Sequence, residues 1–135
     1  MSDEKYNTTT PHQVRGRLWQ DPISGLRRHK LMTKELGDTI PAIRSTANVE
    51  NNDDVLAKAK LFSPYNGWRW YITEWNADTG LCFGLVEGFE TELGYFDLNE
   101  LAEVTVFGSV PAVERDLYWE PKTIGEIRRR ARVAV

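Results

Sequence analysis

The sequence predicts an α+β domain, a twisted and mainly antiparallel sheet of about four or five strands with short helices packed on it. Three observations lead there. Residues 55–62 alternate between apolar positions and lysines, the period of a half-buried strand. Two further runs, Trp68 to Trp75 and Leu81 to Val86, are rich in aromatic, β-branched or other apolar residues and are separated by turn formers. Helix-start spacings then recur at Asp97/Glu100 and Thr123/Glu126.

Along the chain, the first dozen residues, with Thr8, Thr9, Thr10 and Pro11, read as a disordered lead. Residues 14–30 form a semi-ordered arm whose apolar members are Val14, Leu18, Trp19, Ile23 and Leu26. Residues 1–30 are therefore expected as a basic, partly disordered arm, 31–127 as one α+β domain, and 128–135 as a basic helix end and tail. Thr33 suits the cap of a short helix over 34–40 that carries Leu36 and Ile40 before Pro41 closes it. The polar run Asn48 to Asp54 reads as a loop.

Val55, Ala57, Ala59 and Leu61 are expected on one side of the first strand, Lys58 and Lys60 on the other. Pro64, Asn66 and Gly67 turn the chain into the aromatic strand, and Asn76, Asp78 and Gly80 turn it again into Leu81 to Val86. That apolar run is expected to be central and covered on both faces. Gly84 and Gly88 in and after it admit a bulge or the close approach of another segment. Leu93 to Phe96 is the next strand, a helix over 98–103 follows Asp97, and Val104 to Phe107 forms an extended segment. Thr123 opens the last helix, with Ile124, Ile127 and Ala131 on one side and arginines at its C-terminal end, where the helix dipole favours cations.

At 135 residues and 41% hydrophobic, the chain is sized for one core. Its single cysteine, Cys82, excludes an internal disulfide framework, and a reducing, cytoplasmic location is the expectation. No apolar stretch approaches a membrane span, and the polar start lacks the apolar run of a signal peptide. The net charge of −3 conceals segregation. Residues 1–30 carry six basic against three acidic residues, 31–127 seven against seventeen, and 128–135 four arginines. No Lys or Arg lies between Arg69 and Arg115, whereas Glu74, Asp78, Glu87, Glu90, Glu92, Asp97, Glu100, Glu103 and Glu114 all do. A patch of negative potential is the expected consequence.

Several stretches, in order, carry a family resemblance: Leu31-Met32-Thr33-Lys34-Glu35, Ala59-Lys60-Leu61-Phe62-Ser63-Pro64, and Trp68-x-Trp70-Tyr71-x-Thr73-Glu74. Phe83-Gly84-Leu85-Val86-x-Gly88-Phe89-Glu90, Glu92-Leu93-Gly94-Tyr95-Phe96, Glu114-Arg115-Asp116 and Pro121-Lys122 continue the series. In these residues the chain resembles the domain of unknown function numbered 2958, a family of small bacterial proteins found mostly on plasmids, phages and other mobile elements. The resemblance brings no established activity. It implies, by association, roles in transfer, maintenance or counter-defence.

Glu90 and Glu92, one residue apart, are expected to share a strand face, and with Glu87 nearby they have the chemistry for acid/base work or a hard metal. A solvated polar face is the preferred reading, since both histidines, His12 and His29, lie in the basic arm. Zinc spacing, a phosphate-binding glycine loop and a nucleophile elbow are missing from the sequence. Cys82 inside an apolar strand is a poor nucleophile. Trp68 and Trp70 point the same way and could stack bases, but their acidic surroundings favour core packing. Of Tyr95 and Phe96, one is expected inside and the other at the surface. Arg115 is expected to pair with an acidic group of the sheet.

The leading expectation is a non-enzymatic interaction protein of a mobile element, without catalytic residues, metal or cofactor. It would inhibit a host defence or nucleic-acid-processing complex, of the anti-CRISPR or antirestriction type, by presenting a nucleic-acid-mimicking acidic surface. The candidate partner-binding residues are Glu74, Asp78, Glu87, Glu90, Glu92, Tyr95, Glu100 and Glu103. The alternative is an accessory protein that binds nucleic acid through Arg15, Arg17, Trp19, Arg27, Arg28, Arg128, Arg129 and Arg130. A carboxylate-dependent metal hydrolase working through Glu87, Glu90 and Glu92 comes third.

Overall fold

Thr33 starts the first helix by accepting the Leu36 N–H at 3.1 Å on its hydroxyl, which satisfies one of the orphan donors of a helix N-terminus. The computed structural model describes residues 29–134. Helix α1, Lys34–Gly37, is a single turn and so shorter than the expected 34–40. Thr39 and Ile40 donate to the carbonyls of Leu36 and Gly37 at 3.0 and 3.1 Å, the tighter three-residue spacing that ends the helix. Ile40 reaches the core from that turn. The polar loop that follows contains one 3₁₀ turn, Asn52–Asp54, capped by the Asn51 side chain.

The alternating stretch is broken at Lys58 into β1, Leu56–Ala57, and β2, Ala59–Phe62. The break reverses the pattern: Ala59 and Leu61 face one side of the sheet, while Ala57 is buried against the other, contrary to the single apolar side expected. Strand β3, Arg69–Trp75, pairs antiparallel with β2 and with β4, Leu81–Glu87, and β4 pairs with β5, Thr91–Asp97. The β3–β4 turn is held by the Asn76 side chain, which accepts from Asp78 N at 2.8 Å, and by Gly80 at φ +88°. Strand β8, Glu114–Arg115, completes a five-stranded sheet of order β5-β4-β3-β2-β8. A small hairpin of β6, Thr105–Val106, and β7, Val110–Pro111, stands apart from it, and β9, Lys122–Thr123, pairs with β1.

The central strand is β3. The apolar run of β4 lies one place nearer the edge, yet it is covered on both faces as expected, with Cys82 on one side and Leu85 on the other. The first face carries Leu61, Trp70, Ile72, Trp75 and Cys82 and is covered by Leu31, Met32 and α2, Leu98–Glu103. The second carries Tyr71 and Leu85 and is covered by α3, Ile124–Ala134, through Ile124 and Ile127. Burying two isoleucines contributes about 3–6 kcal/mol to docking that helix.

Both helix starts read from the sequence exist, with different chemistry. Asp97 accepts from Asn99 N at 2.8 Å and from the Asn99 side-chain amide at 2.9 Å, so the cap is made with Asn99 and not as a box with Glu100, which is exposed. At α3 the box is reciprocal: Glu126 accepts from Thr123 N at 2.9 Å and donates its own N–H to the Thr123 hydroxyl at 3.1 Å. The bonds that the Thr123 N–H and hydroxyl donate to it hold the Glu126 carboxyl below its usual range, so this contribution is present above the ordinary carboxylate pKa and is lost as pH falls through the depressed value. Thr123→Ala is expected to cost about 1 kcal/mol in urea denaturation. A change within a few tenths would contradict the reciprocal cap.

Ala131 is exposed, so only Ile124 and Ile127 of the expected apolar side meet the sheet. Arg115 is also corrected: its guanidinium donates to the Lys30 carbonyl at 3.0 Å instead of pairing with an acidic group. The neighbouring Asp116 carboxylate takes the cation, Lys60, at 3.7 Å.

Candidate partner-binding site

The acidic stretch does not form one face. Glu74 is 3% exposed, and its carboxylate accepts from the backbone N–H groups of Arg44 and Thr46, each at 2.8 Å, and from the Thr46 hydroxyl. The sequence placed it on a partner surface, but its charge is spent inside the protein. Glu87 is likewise withdrawn, accepting from Arg69 at 3.0 Å and from the Tyr71 hydroxyl at 3.3 Å.

The remaining carboxylates divide between the two ends of the sheet. Leu98 N donates to the Gly80 carbonyl and Asn99 to that of Thr79, which puts α2, with Glu100 and Glu103, beside the β3–β4 turn that carries Asp78. At the other end Phe62, Arg69, Glu87 and Thr91 are cross-strand neighbours in one row. Beyond that row lie the β2–β3 turn and the β4–β5 turn, the latter carrying Gly88, Phe89 and Glu90. Six strand steps separate Thr91 from Asp97, about 20 Å.

Register also separates the proposed metal trio. Glu92 pairs with Val86 and therefore shares the first sheet face, whereas Glu87 pairs with Thr91 and lies with Tyr71 on the second. Glu90 belongs to the turn and not to the strand expected to align it with Glu92. Among the described residues, no three His, Cys, Asp or Glu side chains converge on a point that would hold a metal ion.

The turn end is where aromatic side chains leave the core. Phe89, at the tip of the β4–β5 turn, is 94% exposed and meets Trp68 edge to face at 5.1 Å. Phe107, at the tip of the β6–β7 hairpin, is 82% exposed, has φ +54°, and meets Tyr65 at 5.7 Å. A bulky residue with positive φ is a rare conformation that costs about 1–3 kcal/mol. Trp68 and Trp70 point the same way, with centroids 6.0 Å apart; Trp70 lies in the core, while Trp68 is half-buried against it.

An open groove of about 580 Å³ runs from this turn along β5, lined by Trp68, Val86, Phe89, Glu90, Glu92, Gly94 and Tyr95 among others. Tyr95 is exposed and meets Phe83 edge to face at 4.9 Å, while Phe96 packs against the core, the division expected for that pair. Thus Glu90, Glu92 and Tyr95 are brought together, and Asp78, Glu100 and Glu103 lie elsewhere. Phe89 and Phe107 are additions to the residues read from the sequence. Their signal is an apolar residue at a position where turns are ordinarily polar, Gly88-Phe89-Glu90 and Phe107-Gly108.

Of the basic candidates, Arg15, Arg17, Trp19, Arg27 and Arg28 lie outside the described residues. Arg128 forms an ion pair with Asp53 at 2.7 Å that ties α3 to the 3₁₀ turn. Arg129 and Arg130 are exposed. Cys82 is fully buried, and burial raises its thiol pKa far above the ordinary range, leaving it without nucleophilic character. No described helix is long and apolar enough to cross a membrane.

Fold and site together define an α+β protein whose antiparallel sheet is covered on both faces and whose aromatic, acidic turn end stays open. The chain belongs to the family Protein of unknown function (DUF2958), whose model matches residues 31–134. That match extends through α3, past Ile127. No curated protein and no solved structure gives a significant match.

Proposed function

We propose that the chain is a non-enzymatic interaction protein that docks through the turn end of its sheet and the β5 groove on a basic protein surface. The observation that carries this reading is Phe89, almost wholly exposed between Trp68 and the exposed carboxylates of Glu90 and Glu92. A large exposed aromatic beside charged residues is the composition of an interface anchor.

The partner is a host defence or nucleic-acid-processing complex of the cell that carries the protein, and docking inhibits it, as a mobile-element product would. A groove built for nucleic acid offers cations for phosphates and apolar surface for bases. Carboxylates at Glu90 and Glu92 with the ring of Phe89 offer matching chemistry on a smaller area than a whole acidic face. Affinity capture with the full chain from a lysate of the native cell is expected to recover a nucleic-acid-handling protein. Its retention should fall as salt rises from about 0.1 to 0.5 M, as screening requires, and should disappear with Phe89→Asp. Recovery of no such protein, or retention indifferent to salt and to Phe89, would defeat the reading.

A second reading rests on the exposed Arg129 and Arg130, which would serve an accessory protein that binds nucleic acid directly. Mobility shifts separate the two: the inhibitor leaves DNA and RNA unshifted, and the accessory protein retards them.

A further inference from the structure

Strand β5 is an edge. It pairs with β4 on one side over all seven residues, and among the described residues no strand pairs with its other side. Alternate residues of such a strand turn N–H and C=O groups outward, a template for one more strand unless something blunts it. Edges are commonly protected by charged side chains, proline or bulges; Thr91-Glu92-Leu93-Gly94-Tyr95-Phe96-Asp97 has no lysine, proline or bulge, and its charges, Glu92 and Asp97, are acidic, which deters an acidic strand and admits a cationic one.

Charge decides what suits it. Glu90 and Glu92 are exposed, neither has a cationic partner among the described residues, and the sequence has no Lys or Arg between Arg69 and Arg115 to supply one. A second copy paired antiparallel about Gly94 would set Glu92 opposite Phe96 and leave every carboxylate without a cation, whereas a cationic strand gains an ion pair there, so charge favours the cationic strand over self-pairing. Side-chain space is specified too. At Gly94 a Cβ would meet nothing within 4 Å, so a large side chain on an added strand has room there. Leu93 and Tyr95, on the opposite face of β5, suit β-branched neighbours.

We infer that β5 takes up an extended cationic peptide segment of its partner as a sixth strand, with lysine or arginine opposite Glu92, a second cation past the strand's end toward the turn that holds Glu90, and a large apolar residue opposite Gly94. This deepens the docking reading above and rests on it, by adding backbone pairing to surface contact.

The probe is the synthetic peptide acetyl-Thr-Thr-Val-Leu-Val-Lys-Thr-Lys-amide, which in antiparallel register places leucine at Gly94, the first lysine at Glu92 and the second past the strand's end toward the turn that holds Glu90. It is titrated into the full chain with amide NMR shifts and fluorescence anisotropy as readouts. Saturable binding is expected, with the largest shifts at Thr91 to Asp97. Exchanging both lysines for glutamate, or making the Glu90→Lys, Glu92→Lys variant, should weaken it about tenfold, the worth of two exposed ion pairs. N-methylation of alternate peptide amides should weaken it by at least as much.

Equal binding of the N-methylated peptide would overturn strand addition while leaving charge-driven docking intact. Shifts centred on α2, or binding of no peptide, would also overturn it; partner capture that still depends on Phe89 would then keep the docking reading alive. A dimer in sedimentation whose β5 amides are protected, or a peptide-free monomer whose outward β5 amides already resist solvent exchange, would give the edge to a second copy or to the chain's own residues and end the proposal.

Discussion

Gly84→Ala is expected to lower stability by about 3 kcal/mol or more, the upper end of what overpacking costs and a large part of the roughly 5–15 kcal/mol that holds a domain of this size. A Cβ at Gly84 would sit within bonding distance of the Tyr71 carbonyl oxygen and 2.8 Å from its carbonyl carbon. Both atoms belong to the backbone of the central strand, which cannot rotate away as a side chain would. Relief requires β3 and β4 to separate next to the bulge at Ile72/Glu74, where the ladder is already interrupted. The cost is that of overpacking, and the paired strands supply the core residues of both faces, so it spreads to both. Thermal and urea unfolding measure it, and a variant with the parent's midpoint would show that the strands have slack.

Glu74→Ala is expected to cost about 2–4 kcal/mol, since a buried carboxylate serving several donors is lost at once. Its three bonds organise the segment from Pro41 to Thr46, which lies against the end of β3, where Trp75 N also donates to the Pro41 carbonyl at 2.9 Å. One of those donors, Arg44, has φ +77°, a conformation that a non-glycine residue holds only when its surroundings compensate. Removing the carboxylate leaves that backbone strained without its partner. Glu74→Gln keeps one acceptor oxygen and should lose about half as much. Urea denaturation of the two variants orders them. Equal stability of all three proteins would mean that water replaces the carboxylate without loss.

The fates of Glu74 and Glu92 show what was legible in the sequence. The hairpins, a strand at Leu93 to Phe96 and both helix starts follow from period-two patterning, turn residues and cap spacing, and those are local signals. The bulge is not local. It inserts Thr73 into β3, so that Trp75 turns to the first face with Trp70 and Ile72 while Glu74 turns to the segment holding Arg44 and Thr46. A charge count cannot anticipate this, because a buried carboxylate and a solvated one look the same in the linear order. Arg69 had marked the boundary of a cation-free stretch, yet it reaches across to Glu87 on the neighbouring strand. Charge segregation was therefore visible and its geometry was not: a single acidic face becomes two acidic ends about 20 Å apart. The aromatic tips were present in the sequence as apolar residues in turns, and only the sheet register brings Phe89 to the same end as Tyr65 and Trp68.

Those two acidic ends allow a direct comparison on the partner recovered by affinity capture. Glu90→Lys with Glu92→Lys reverses the turn end, and Glu100→Lys with Glu103→Lys reverses α2, with the same change in net charge. If docking uses the groove, the first pair abolishes retention of the partner and the second leaves it near the parent level. Equal losses from both pairs would mean that net charge alone governs association, and loss from the α2 pair only would place the interface at the opposite end of the sheet, contradicting the account.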